Sequence, residues 1–484
     1  MLLSAHPDDL PHSTPAAEGV QQQAVINLVD SLLNIPGCDI HHLMVVRHGK
    51  VIAEMHPAPL RAEDSHTVYS VSKTLTALAV GIAIDENRLR LDDRVMTFFY
   101  DKMPDIISDD MAAMTVRDLL MMTSGVESDG SLCAQSTDWT RDWLAKSCVD
   151  KPGTRFRYDS MCTFMLSAIL QRVTGHTLLE YLQEKLFTPM NITQAEWEKS
   201  PDGICTGGWG LRTQTEALAK IGVLILNNGN WNGQQLVSAD YVKQACAPLI
   251  NTESDTESGM AYGYCMWNTS WQGVGNVSMA RGQYGQSVII FPEQDLVVVV
   301  LGVIVDNNYV TSRLKNLLLP GITAGKLETD KQLQQKLDSL CAHAMIEFPT
   351  GKPTGKPVNG KRLEMHPNDM GLKWMMIDGD TLRLARENKP TEAFPMGYHE
   401  WRYGNLKGFP PYSFSALNRM KDLNHDFVAA TAYAWKSPSV LEVRIHYVNW
   451  VSASTYIFDF DKQELLFRND YPGYQPNRID FDIK

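Results

Sequence analysis

Two hairpin signals, far apart in the chain, constrain its fold more than any other feature. Leu43–Met55 (LMVVRHGKVIAEM) reads as two apolar strands around a turn at His48-Gly49-Lys50. Ser287–Ile304 (SVIIFPEQDLVVVVLGVI) reads as two β-rich runs around Pro292-Glu293-Gln294-Asp295, after a further strand signal at Tyr262–Trp267. Between them run about two hundred residues of mostly helical pattern. This order predicts one antiparallel sheet assembled from both ends of a domain, with the helices forming a second lobe. Three helix starts carry an acid three residues after a threonine, the capping-box pattern: Thr115 with Asp118, Thr177 with Glu180 and Thr213 with Glu216. The domain is expected to span residues 1–322.

Beyond it the pattern changes. Asp330–Ala344 has the composition of a connecting helix, and Gly351–Lys361 (GKPTGKPVNGK) is the best linker candidate in the chain. Asp378-Gly379 then sits between two extended runs, Leu441–Trp450 alternates, and YIFDFDKQELLFRN offers another hairpin. The expected division is therefore residues 1–322, a connecting helix and linker over 323–359, and a separate all-β module over 360–484, a small barrel or lipocalin-like unit.

Composition narrows the partners. The 484 residues are 44% hydrophobic and 21% charged, as in a globular protein, and the net charge of −12 argues against general affinity for nucleic acid or anionic membrane, since both need basic patches. No apolar run approaches about 18 residues, so no transmembrane helix is expected. The start, MLLSAHPDDLPHSTPAAEGV, has no basic segment leading into a long apolar run. Eight dispersed cysteines without C-x-x-C complete an expectation of a reducing cytoplasm.

Metal chemistry has little support. There are 13 histidines but no HExxH, no Cys/His array at zinc spacing and no EF-hand loop. The one adjacent pair, His41-His42, beside an apolar strand, is expected to be structural or at the surface. Neither GxGxxG nor GxxxxGK[ST] occurs, and the GxSxG elbow is missing. No cofactor is expected.

Ser70-Val71-Ser72-Lys73 is different in kind. Residues three apart share a helix face, so the Ser70 hydroxyl would lie beside the Lys73 ammonium. A serine becomes nucleophilic when a base takes its proton, and a lysine with a pKa lowered by burial can do so. A helix N-terminus also lends N–H groups to a developing oxyanion. The tetrad alone is weak, because S-x-x-K arises by chance about once or twice in a chain this long; Ser312-Arg313-Leu314-Lys315 is a second copy.

Context separates the copies. HTVYSVSKTLTALAVGIAIDENRLRLDDRVMTFF, MTVRDLLMMTSGV, PGTRFRYDSMCTFMLSAILQRVTGHTLLEYLQEKLFTPMNI, GGWGLRTQTEALAKIGVLILNNGNWNGQQLVS and ARGQYGQSVIIFPEQDLVVVV follow in an order that closely resembles the serine β-lactamase and penicillin-binding-protein superfamily. The nearest flavour is its class C β-lactamase, esterase and 6-aminohexanoate-dimer-hydrolase branch, and the likeness runs over residues 10–320. It implies an α/β (α+β) fold, an antiparallel sheet flanked by helices plus a helical lobe, with the active serine between them. It also implies Ser70 as nucleophile, Lys73 as its basic partner, and Tyr158 of Tyr158-Asp159-Ser160 as the tyrosine that shares proton transfer. A phenol with a pKa near 10 could act as the base only if the lysine's charge lowered it.

Two departures stand out. Ser160 replaces the usual asparagine of Y-x-N, and Ala280-Arg281-Gly282 replaces Lys-Thr-Gly or His-x-Gly, so the first cation of that motif is gone. Arg281 could compensate only if its side chain turned to the cleft, although adjacent strand residues face opposite sides. Gly282 would allow close ligand approach, and the N–H of Gln283 would join that of Ser70 in an oxyanion hole. Gly285 and Gln286 look structural, and Met121 and Met122 look like core. Cys162 and Cys265 are expected near the cleft but lack the partners of a nucleophile; Trp209 suits pocket lining or core equally; Trp401 and Tyr403 suit barrel packing.

The resemblance implies hydrolysis of a small ester or amide through an acyl-enzyme. β-Lactamase or D-alanyl peptidase activity is an alternative, opposed by Ala280 and by the unsignalled N-terminus. A non-catalytic scaffold or binding protein is the other, opposed by the joint presence of Ser70, Lys73 and Tyr158. The β-module is expected either to cover the cleft mouth or to mediate a homo-oligomer.

Overall fold

The computed structural model describes residues 9–127, 131–252, 259–406, 408, 410–411, 427–471 and 473–484. Residues 1–8, part of the N-terminal stretch read for an export signal, lie outside them.

The two predicted hairpins meet. Lys50–Met55, Asp39–Arg47, Leu296–Val303, Ser287–Phe291, Gly275–Arg281, Trp267–Trp271, Ala261–Tyr262 and Ile250–Asn251 form, in that spatial order, one antiparallel sheet. Leu296–Val303 lies inside it and is buried on both faces. Val297, Val299 and Leu301 pack toward one helical layer, while Leu296, Val298 and Val300 pack toward the other. The first layer includes the Thr215–Leu226, Ser72–Asp85 and Ser160–Thr174 helices; the second holds Gln22–Leu33 and the Lys331–Ala342 helix. The strand expected over Tyr262–Trp267 is broken at Gly263–Met266, where Cys265 takes a left-handed φ of 53°.

Two capping boxes form at Thr115/Asp118 and Thr177/Glu180. The third does not. Thr213 is held in a short strand paired with Ala195 and His66, so the helix starts at Thr215 with Gln214 as its cap. Glu216 instead accepts from the Leu10 N–H at 3.0 Å.

From Arg362 onward the elements of the described residues are all strands. They form one sheet that curls until Glu392–Pro395 lies against Arg402–Leu406, closing nearly to a barrel. Met375, Leu382, Leu384, Val443, Ile445, Phe458 and Leu465 are among its fully buried filling. The Gly351–Lys361 segment does not hang free. Lys352 and Trp435 exchange backbone hydrogen bonds of 2.9 Å, and the Lys356 N–H donates to Pro438 O at 2.7 Å.

The two halves share a polar seam. Arg444 pairs with Asp39 of the first sheet and with Asp470. Register shifts between Ile40 and His42, and this bulge coincides with two consecutive histidines that are both fully buried. Trp401 packs in a small cluster with Leu60 and Ile346, and the Tyr403 hydroxyl donates to Pro59 O at 2.8 Å. Both aromatics thus face the first domain.

Candidate active site

Ser70 stands in a 3-10 turn, Tyr69–Val71, that leads into the Ser72–Asp85 helix, so the α-helix itself starts two residues after Ser70. Continuation of the turn into the helix still sets Ser70 beside Lys73. Lys73 Nζ donates to Ser70 Oγ at 2.9 Å, to Ser160 Oγ at 2.9 Å and to the Gly208 carbonyl at 2.6 Å. All three ammonium donors are used, and each acceptor is uncharged. Lys73 is only 1% exposed. Burial pushes its pKa down to about 7, against a smaller upward pull from Cys265, Asp159 and Cys162.

Ser160 is the first residue of the Ser160–Thr174 helix, whose cap is Asp159, accepting from the Met161 N–H at 2.8 Å. The serine at the asparagine position therefore keeps one function of a polar side chain there, an oxygen for the lysine. Gly208 was not singled out by the sequence reading. A side chain at that position would meet Ser160 O at 2.6 Å and Thr163 Oγ1 at 2.7 Å, so only glycine lets this backbone approach the lysine. Gly207-Gly208 was the available signal. Asp159, a buried carboxylate near Lys73 that also accepts from Trp143 Nε1 at 3.3 Å, was likewise missed.

Tyr158 comes just before this helix. Its hydroxyl hydrogen-bonds the Ser70 side chain, and Lys73 Nζ lies 4.9 Å from its ring centroid. Trp267 stacks on it at 5.6 Å, with Phe156 and Tyr262 beside them. The residue retains 40% exposure, yet desolvation of its phenol raises the pKa above the ordinary tyrosine value. The hydrogen bond to Ser70 and the charge of Arg281 oppose this only in part. The lowering by Lys73 that a base role would require is absent: the shift is upward.

The third motif lies at the end of Gly275–Arg281. Ala280 points into the core, and Arg281, partly exposed, is near enough for its charge to be felt at Tyr158. Gly282 packs on the turn that carries Ser70. A Cβ there would lie 2.4 Å from Val68 O and 3.3 Å from Ser70 N. Among the described residues, neither the Ser70 nor the Gln283 N–H donates to a backbone carbonyl. Gln286 braces the turn from within, accepting from Gly302 N at 3.1 Å and donating to Gly302 O at 2.7 Å.

Other candidates fall away. Ser312 and Lys315 of the second S-x-x-K lie on outer helices, where Ser312 bonds Tyr309 O and Lys315 sits over Trp271. Burial raises the pKa of the Cys162 and Cys265 thiols, which leaves them unreactive. Trp209 is core, 5% exposed against Trp139. All eight cysteines are free, no metal-holding group of three side chains occurs among the described residues, and no described helix is long and apolar enough to cross a membrane.

Comparison with known proteins places the chain in a family. The 6-aminohexanoate-dimer hydrolase of Paenarthrobacter ureafaciens is 26% identical over 281 residues, 53% of this chain and 71% of that one. A penicillin-binding-protein homologue from Caulobacter crescentus superposes with a TM-score of 0.50 at 16% identity, covering 60% of this chain and 95% of that one. An octameric penicillin-binding-protein homologue from Pyrococcus abyssi covers 96% of this chain and 99% of its own, with a TM-score of 0.51 at 17% identity, so its fold extends through the β domain. Residues 25–308, more than half of the chain, match the Beta-lactamase family model. The chain belongs to the beta-lactamase family, within the serine β-lactamase and penicillin-binding-protein superfamily, and is a serine hydrolase.

Proposed function

We propose that the protein hydrolyses a small ester or amide through an acyl-enzyme on Ser70. The observation that carries this reading is the Lys73–Ser70 contact of 2.9 Å with a lysine pKa of about 7. Near neutral pH a substantial fraction of Lys73 is then the free amine, able to take the serine proton as Ser70 Oγ attacks the carbonyl. The Ser70 and Gln283 N–H groups receive the oxyanion. Tyr158, protonated and bonded to Ser70, gives its proton to the leaving oxygen or nitrogen and recovers one from the Lys73 ammonium. Water then attacks the acyl carbon, its proton passes back to the same base, and Ser70 is released.

This division of labour differs from one in which lysine and tyrosine are interchangeable bases. Lysine is the base and tyrosine the acid, because burial moves their pKa values apart. The similarity to a protein named for an amide dimer supports including amides in the substrate class. Ala280 stands where β-lactam-recognising members carry a cation, which favours an ester or amide over a β-lactam. The chemistry requires no metal or organic cofactor. Residues 1–322 and 360–484 are read as the catalytic domain and an accessory β domain, with 323–359 between them.

The test is turnover of p-nitrophenyl acyl esters by wild type and by Ser70→Ala. Activity abolished in the variant supports the reading. Equal activity in both would remove it.

A further inference from the structure

Ser70 and Gln283, the two expected oxyanion donors, each adjoin a tyrosine in a conformation that side chains rarely adopt. Tyr69 has φ +46° and Tyr284 has φ +61°. Left-handed backbone at two non-glycine residues beside one site is costly, and persists only where the surroundings hold it. First-domain hydrogen bonds hold the two backbones, and the packing of their rings leads to the other half of the molecule. The Tyr69 ring packs edge-on against Tyr284 at 5.6 Å, and Tyr284 packs on Tyr471 of the β domain at 5.1 Å. Tyr69 is 3% exposed and clusters with the barrel's own buried residues rather than with the helical layer beneath Lys73.

Tyr471 is itself held at its hydroxyl, which accepts from Trp450 Nε1 at 2.8 Å and donates to Pro411 O at 2.7 Å. Ring packing therefore runs from the β domain to the residues flanking the two N–H groups. On the first-domain side, Ser72 Oγ donates to Tyr69 O at 2.6 Å and Ile304 N–H to Tyr284 O at 3.0 Å, fixing the backbones but not the rings.

We propose that Tyr471 is a positioning residue for the oxyanion hole, holding through Tyr69 and Tyr284 the two turns that aim the Ser70 and Gln283 N–H groups. This rests on the acyl-enzyme reading above, and it gives the β domain a part in the rate of the reaction rather than in substrate access. Displacing a turn would weaken donors needed by the tetrahedral intermediate more than those needed by bound substrate, so the effect falls on kcat and not on KM.

The experiment uses the full chain with Tyr471→Leu, which removes ring and hydroxyl, and Tyr471→Phe, which keeps the ring. Arg444→Gln, which cuts the ion pairs of the seam away from Ser70, is the control. Readouts are kcat and KM on a p-nitrophenyl ester, the rate of labelling by a fluorophosphonate, and the melting temperature. Expected are a loss of about tenfold in kcat and in labelling rate for Tyr471→Leu, a smaller loss for Tyr471→Phe, and KM within about twofold throughout. Arg444→Gln should melt earlier with kcat unchanged. If wild type is labelled at Ser70 and Tyr471→Phe and any folded Tyr471→Leu keep wild-type kcat and labelling rate, the positioning role is wrong and the acyl-enzyme reading stands. If wild type is not labelled, both fall. Should Tyr471→Leu not fold, Tyr471→Phe alone decides.

Discussion

Lys73 and a cluster of four histidines are both buried in this protein, and only the lysine is poised to react. Lys73 lies under the cleft. His41, His42, His66 and His446 lie in the seam between the first sheet and the β domain, each fully buried. Desolvation lowers the pKa of every one. In the seam the rings bond one another only in part: His66 Nδ1 is 2.6 Å from Thr67 O and donates to it, so its Nε2 accepts from His41 Nδ1 at 2.8 Å, while Nε2 of His41 and of His42 and both ring nitrogens of His446 have no hydrogen-bond partner among the described residues. His42 bonds His56, which in turn bonds Glu54. Among the described residues no hydroxyl is hydrogen-bonded to these rings, whereas Lys73 has Ser70 at 2.9 Å and a partly open tyrosine above it. Burial makes a base available; an adjacent hydroxyl and an open side make it useful.

The sharpest way to break this contrast is to remove the reacting pair. Ser70→Ala and Lys73→Met should each lower kcat/KM by at least about a thousandfold, measured with an activated ester at saturating enzyme. Tyr158→Phe should cost less, about a hundredfold, and the loss should be greater for substrates with poor leaving groups if the phenol is the acid. Equal losses for good and poor leaving groups would return Tyr158 to a passive role.

pH separates the two regions in another way. Lys73 must be neutral to act, so kcat/KM should rise with pH through about 7 and level off above it. Ser160→Ala removes one acceptor of the ammonium, which disfavours the charged form. The acid limb should shift to lower pH with only a few-fold change in plateau rate. The histidines affect stability. Their folded pKa values lie below the unfolded value of about 6.5, so the unfolded chain binds more protons in acid. Stability is full above about 6.5 and is lost as pH falls toward the folded values, about 4 for His66. Each such histidine adds up to about 1.4 kcal/mol per pH unit to the slope. Melting curves of wild type and His446→Phe across this window should show the smaller slope in the variant. Identical slopes would mean the seam is protonated without opening.

Much of this was legible in the residues, for identifiable reasons. Ser70 and Lys73 are three apart, and local turn geometry carries that spacing into contact whatever the rest does. Thr115 and Thr177 announce helix starts because a capping box is a local bargain between neighbours. Thr213 shows the limit: a strand partner elsewhere in the chain claimed it, and the same pattern capped nothing. The Gly208 carbonyl, Asp159 and the Tyr69–Tyr284–Tyr471 stack depend on pairings between distant segments, which no spacing records. The upward Tyr158 pKa shift is not legible in the sequence for the same reason, since Trp267 and Tyr262, which pack on it, come from the far sheet.

The central claim is that Ser70 becomes covalently acylated. Intact-mass and peptide mapping after incubation with a fluorophosphonate test it directly. The predicted result is one adduct per chain, located on the peptide containing Ser70, absent in Ser70→Ala and formed more slowly below pH 7. Equal labelling of wild type and Ser70→Ala would contradict it.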